Sequence, residues 1–399
     1  MCCRVRPFID ALRKPLTTRC CLAALLLGIC GLAKRAEAQK PVEAPKVLHG
    51  PLGTTEVGLI DGAPYRIDIP QDWNHSLVVY YHGYAQNPVT YPIADKLNWQ
   101  IQPFLDRHYA IVQSAYSQTG WALAQAFPET ESVRKYFAKK FGEPKETYVA
   151  GSSMGGVLVS VTLELNPKPY LAGLDFCGSV GPSIENFEFR FAMRAAFDHY
   201  FPSLMPPLVP TPKDYEITTA LNDRVLAALK NNPTAAASLR NLMGVHNDAE
   251  VAENTTYFTF VVGDLQRRAN GNPFDNRNYI YTGTNPTSSL SDAELNDHVQ
   301  RYAASPTARE YLIRHYTPSG HLGKPMLAVH TMYDPRVPPR TLALYEHLVE
   351  EAGASENFVQ QYVRTDGHCN ISRDNIGRAF DEVVQWAHTN QRPSPGLLK

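Results

Sequence analysis

Beyond its first 38 residues, this 399-residue chain has only two cysteines, Cys177 and Cys369; the other five lie nearer the N-terminus. So few exclude a disulfide-dense scaffold and leave two alternatives, one bridge or two separate buried thiols. The apolar stretch 20–33 is shorter than a bilayer span. A basic excess is also absent. Net charge is −1, and the 31 Lys/Arg and 37 Asp/Glu beyond residue 38 leave −6. Nothing there tracks a phosphate backbone or draws the chain to an anionic membrane, so nucleic acid is not expected as a partner, nor is stable membrane insertion once the N-terminal signal described below is cleaved. No His-x-x-x-His pair with a third ligand occurs, so no metal and no cofactor is expected. Internal repeats and long low-complexity tracts are missing too.

What is present begins with an export pattern. Arg4, Arg6, Arg13, Lys14 and Arg19 precede the apolar stretch, and Ala36-Glu37-Ala38 follows as a small-x-small cleavage site. Residues 1–38 therefore read as a signal peptide, and the protein as secreted or periplasmic. With 44% hydrophobic and 19% charged residues, the chain has ample material for a large core. A Pro-rich lead over 39–54 reads as extended and poorly ordered. Strand-like runs follow at 55–60, 65–69, 76–81, 109–114, 147–150 and 171–177, interleaved with an amphipathic stretch at 122–141 and an apolar one at 157–165. Strand and helix alternate again from 326 to 390. This alternation predicts an α/β fold with a mostly parallel central sheet flanked by helices. The intervening 178–323 is irregular and Pro-rich. Helix-like stretches at 217–230, 291–304 and 307–315, the second opening with Ser291 and Glu294 at capping-box spacing, mark it as a largely helical cap inserted after the sixth strand. The α/β core is then 55–177 plus 324–399.

Gly151-Ser152-Ser153-Met154-Gly155-Gly156 stands between an apolar strand and an apolar helix. That context turns a common Gly-x-Ser-x-Gly string into a strand-turn-helix nucleophile site centred on Ser153. A serine hydroxyl needs a base, and His368 in Asp366-Gly367-His368-Cys369 follows the last strand-like run. His330 and His82 are rivals, but each sits inside or at the end of a strand. Asp334, just past the strand at 326–331, completes the chain order Ser, Asp, His, with Asp366 as the alternative acid. The oxyanion donors are expected to be the amide of Met154 and that of Tyr84, with Gly83 as fallback, in His82-Gly83-Tyr84.

Together these residues resemble the α/β-hydrolase superfamily of serine hydrolases over about 55–390. The resemblance implies Ser153, Asp334 and His368 as nucleophile, acid and base. The Gly-His-Cys context is also similar to the tannase and feruloyl esterase group, whose members pair a Cys beside the serine with one beside the histidine. Here Ser152 precedes the nucleophile, so Cys177 would tie down the His368 loop instead.

The expected substrate is a small-molecule carboxylic ester, cleaved through an acyl-enzyme on Ser153. A serine peptidase of the prolyl-oligopeptidase or proline-iminopeptidase type is the alternative, with Glu185, Glu188 and Asp214 available to meet a free amine. Phe187, Phe189, Phe191, Phe197, Tyr200 and Phe201 either roof an apolar pocket or form the cap's own core. Trp121, after the fourth strand, either stacks on substrate or anchors the following helix.

Overall fold

Leu77–Tyr81 (β4), Thr147–Ser152 (β6) and Ala172–Phe176 (β7) are buried at every position, as strands covered on both faces must be. In the computed structural model, which describes residues 44–51, 53–94 and 98–399, they form the centre of one ten-stranded sheet. The proposed signal peptide lies outside the described residues. Lys46–Gly50 (β1), Gly53–Ile60 (β2) and Ala63–Ile69 (β3) make an antiparallel edge, and β3 pairs antiparallel with Ala110–Ser114 (β5). From β5 onward every pairing is parallel, through β4, β6, β7, Met326–Tyr333 (β8), Phe358–Asp366 (β9) and Gly396–Leu397 (β10). The order is β1-β2-β3-β5-β4-β6-β7-β8-β9-β10.

Side chains alternate between the two faces, and the two cores follow from that period of two. Val79 and Tyr81 point into one cluster with Leu123–Phe141 (α2), Met154–Leu165 (α3) and Arg340–Glu351 (α10). Val78 and Tyr80 point into the other, with Gln102–Leu105 (α1) and Arg373–Thr389 (α11). A mostly parallel sheet, sandwiched between helices and led by an antiparallel edge, is the α/β-hydrolase fold expected from the sequence. No described helix is long and apolar enough to cross a membrane.

Two expectations change. Part of the lead is a strand: β1 pairs with β2 from Lys46↔Val57 to Gly50↔Gly53. Its side chains stay mostly in solvent, so no apolar alternation marked it. With β1 counted, the irregular middle follows the seventh strand. Ser183–Tyr200 (α4), Thr219–Asn231 (α5), Pro233–Met243 (α6), Asp248–Arg268 (α7), Leu290–His298 (α8) and Pro306–Tyr316 (α9) fill it. The Ser291–Glu294 capping box does not form. The helix starts one residue earlier, and the Ser291 hydroxyl lies 2.6 Å from that of Thr284.

Candidate active site

Ser153 sits in the turn from β6 to α3 with φ 57° and ψ −118°. This is a sparsely populated conformation for a residue with a Cβ, costing about 1–3 kcal/mol, and it lifts the hydroxyl off the sheet. The turn closes only because its flanks are glycine. A Cβ on Gly151 would overlap the Gly155 carbonyl, and one on Gly155 would overlap the Tyr81 carbonyl.

The far end of the chain brings up the base. His368 Nε2 lies 2.9 Å from Ser153 Oγ, and Nδ1 lies 2.7 Å from Asp334 Oδ2. A carboxylate on Nδ1 sets the tautomer: Nδ1–H donates to Asp334, leaving the Nε2 lone pair to accept the serine proton. Asp334 is itself fixed, since Oδ1 accepts from the amides of Arg336 at 2.8 Å and Val337 at 2.9 Å. Burial alone would raise its pKa, but the bond and charge of His368, with the Val337 amide, hold it below the ordinary carboxylate value.

The rivals are placed elsewhere. His330 is fully buried in β8 with Nε2 3.9 Å from Asp334 Oδ2, behind the acid rather than beside the serine, and burial lowers its pKa. His82 stacks on Tyr116 with centroids 3.9 Å apart, and its Nδ1 lies 2.7 Å from the Gly83 carbonyl oxygen. Asp366 is exposed at the end of β9.

Met154 is the first residue of α3, so its N–H belongs to the set that a helix leaves without an internal acceptor. Opposite it, Gly83 approaches closely: a Cβ there would stand 3.2 Å from Ser153 Cβ. The loop is pinned by Tyr116, whose hydroxyl donates to the His82 carbonyl at 3.1 Å, and by Gly120, whose amide donates to Ala85 at 2.7 Å. The Tyr84 hydroxyl reaches Asp264 of α7 at 3.4 Å.

Cys177 and Cys369 form a disulfide, with Cα atoms 5.3 Å apart. It ties the residue after the base to the end of β7. Trp121 is buried, with its ring 4.8 Å from that of Phe187 and its amide donating to Asp264 at 2.7 Å. It packs the loop after β5 against the helical segment and does not line the cavity at Ser153. Phe187, Phe191 and Phe197 are likewise interior.

That cavity measures about 550 Å³ and opens onto Ser153, His368 and Cys369. Its other walls include Arg66, Tyr91, Gln100, Gln113 and Ser152, none of which sequence reasoning singled out. One signal was available: Gln113 interrupts the buried strand Ala-Ile-Val-Gln-Ser. Asp264, which gathers Trp121, Tyr84 and Arg268, had no comparable signal within its helix.

No family model and no curated protein matches the chain. Among solved structures it is similar to an esterase from Aspergillus oryzae (12% identity over 88% of this chain and 87% of that one, TM-score 0.46). It is also similar to Candida antarctica lipase A (12%, 88% and 83%, TM-score 0.47). A Pyrococcus horikoshii acylaminoacyl peptidase matches at 12% identity, with 86% of this chain spanning 41% of that longer one, and a TM-score of 0.42. The chemistry below rests on the chain's own geometry.

Proposed function

We propose that the protein is an exported serine hydrolase that cleaves carboxylic esters through an acyl-enzyme on Ser153. The observation that carries this reading is the continuous path from Ser153 Oγ to His368 Nε2 at 2.9 Å and from Nδ1 to Asp334 at 2.7 Å. Ser153 Oγ attacks the ester carbonyl carbon as His368 Nε2 takes its proton. The carbonyl oxygen becomes an oxyanion, met by the amides of Met154 and of Tyr84 or Gly83. Collapse breaks the bond to the alcohol, which leaves with the proton from His368. Water then repeats the sequence on the acyl-enzyme, giving up a proton to His368 and releasing the acid. Asp334 holds the ring in its tautomer and balances the imidazolium charge.

The helical segment 178–323 serves as the cap. It braces the loop that carries the acid: Asn254 of α7 donates to the Pro335 carbonyl at 2.8 Å, and Arg190 of α4 to that of Arg336 at 3.1 Å. The carboxylates a peptidase would turn toward a free amine are occupied or distant. Glu188 pairs with Arg309, and no Asp or Glu is among the described residues lining the cavity. Ester cleavage is therefore the reading preferred.

The test is a panel of p-nitrophenyl esters beside aminoacyl-p-nitroanilides. Ester turnover should exceed anilide turnover, and Ser153→Ala should lower kcat by roughly four orders of magnitude or more. Anilide turnover above the ester rate would transfer the assignment to a peptidase, and equal rates in wild type and variant would remove Ser153 from the chemistry.

A further inference from the structure

Gln113 is 4% exposed, lies on β5 and lines the cavity that opens onto Ser153. Its side-chain amide forms no hydrogen bond among the described residues. A primary amide facing the cavity offers two donors and an acceptor to whatever occupies it. Several polar groups around it are already engaged. Arg66 is spent on Asp68 at 2.8 Å and on the carbonyls of Pro92 and Ala94, each at 2.9 Å. Tyr91 donates to the Ser114 carbonyl at 3.2 Å. The Tyr80 hydroxyl joins Ser152 at 3.0 Å and donates to Gln100 Oε1 at 3.2 Å. Among the described residues, Gln113 is thus a buried-strand group of this wall whose side-chain hydrogen-bonding capacity is still open.

Resting on the serine-hydrolase reading, we propose that this cavity binds a neutral, hydroxyl-bearing part of the ester substrate and that Gln113 determines the selectivity for it. The donor and acceptor of one amide, side by side, match a group that both donates and accepts. A hydroxyl does this. A hydrocarbon chain leaves the amide unpaired. A carboxylate would require an uncompensated cation, and Arg66, the one cation on the described lining, is already neutralised by Asp68. Excluding the analogue that lacks the hydroxyl is what a buried, hydrogen-bonding site does well.

Either side of the ester could carry the hydroxyl, so the experiment has two arms. In the first, kcat/KM is measured for the p-nitrophenyl esters of butanoate and β-hydroxybutanoate. In the second, acid release is followed from propyl butanoate and from the glycerol monoester of butanoate. The hydroxylated member should be favoured by roughly ten-fold or more in one arm, and Gln113→Leu should bring that ratio close to one. Gln113→Met, closer in shape, serves if the leucine variant does not fold. No hydroxyl preference in either arm, or a preference that survives both substitutions, overturns the assignment. Labelling of the wild type by a fluorophosphonate separates the two ways of failing. Labelled Ser153 without hydroxyl selectivity sinks only the role of Gln113, whereas absent labelling sinks the serine-hydrolase reading itself.

Discussion

Asp175 and Asp334 are two buried carboxyl groups whose surroundings push them in opposite directions. Asp334 has a cationic partner in waiting and two amide donors, so its pKa is lowered. Asp175, on β7, is fully buried and neither oxygen finds a well-formed hydrogen bond. Burial pushes it well above the ordinary carboxylate value, opposed only in part by the Gly178 amide. The consequence for stability has a definite sign. Between the unfolded value of about 3.9 and the raised folded value, the native state keeps a proton that the unfolded chain has lost. Asp175 therefore costs stability increasingly as pH rises through that window. Asp175→Asn removes the linkage at nearly constant shape. Its urea midpoint should gain on the wild type as pH rises above about 4. A difference between the two that does not change with pH would mean that the native carboxyl is already ionised. At this scale the hydrogen-bonded set Ser153, His368 and Asp334 was legible in the sequence, because each follows a strand and carries recognisable neighbours. Asp175 was legible only as Gln113 was, as a polar residue within an apolar strand, and that pattern does not announce its lack of partners.

The loop between β9 and α11 shows how an element holds the His368 ring, the proposed base. Gly367 donates to the Tyr333 carbonyl at 2.8 Å, Thr331 donates to the Gly367 carbonyl at 3.1 Å, and Cys369 is bonded to Cys177. Both hydrogen bonds lie on the β8 side of the loop; the covalent tie anchors its other side to the end of β7. The cysteines are 192 residues apart, so removing the bridge frees a long closed loop in the unfolded chain. A Cys177→Ser/Cys369→Ser double variant should lose about 2–5 kcal/mol of stability. In ester turnover its kcat should fall more than its KM changes, because the base loses orientation while the cavity keeps its other walls. Unchanged kcat beside a lowered denaturation midpoint would show that hydrogen bonds alone position the ring. The core strands and helices were readable because apolar periodicity follows directly from two-sided burial. Helices α4 and α7 were not. Their buried faces include Arg190 and Arg194, and Asn254, Thr255 and Thr256, which break the apolar pattern that betrays an amphipathic helix. Helix α6 did carry a readable start, Asn232 before Pro233, with the Asn232 side chain accepting from the Ala235 amide.

In the whole molecule the sheet and the helical segment meet at the site rather than apart from it. One continuous apolar cluster runs from Val79 and Met154 through Trp121 and Phe187 to Phe191 and Val262. Polar ties cross the same boundary, where the Asp264 carboxylate takes the Trp121 amide at 2.7 Å and the Tyr84 hydroxyl at 3.4 Å. The cavity walls come from β3, β5, β6 and the loops after β4 and β9, so no local stretch of sequence could have outlined it. Because the boundary is largely apolar and shared, neither part keeps its buried surface once the other opens. The described chain should therefore unfold in urea as a single transition, with tryptophan fluorescence and far-ultraviolet dichroism tracing the same curve. Asp264→Ala would leave the buried Trp121 amide and Arg268 without their acceptor, at a cost of about 3–5 kcal/mol. It should move that one curve to lower urea without splitting it. A separate early loss of helical signal, ahead of the fluorescence change, would instead mean that the helical segment folds on its own and only rests upon the sheet.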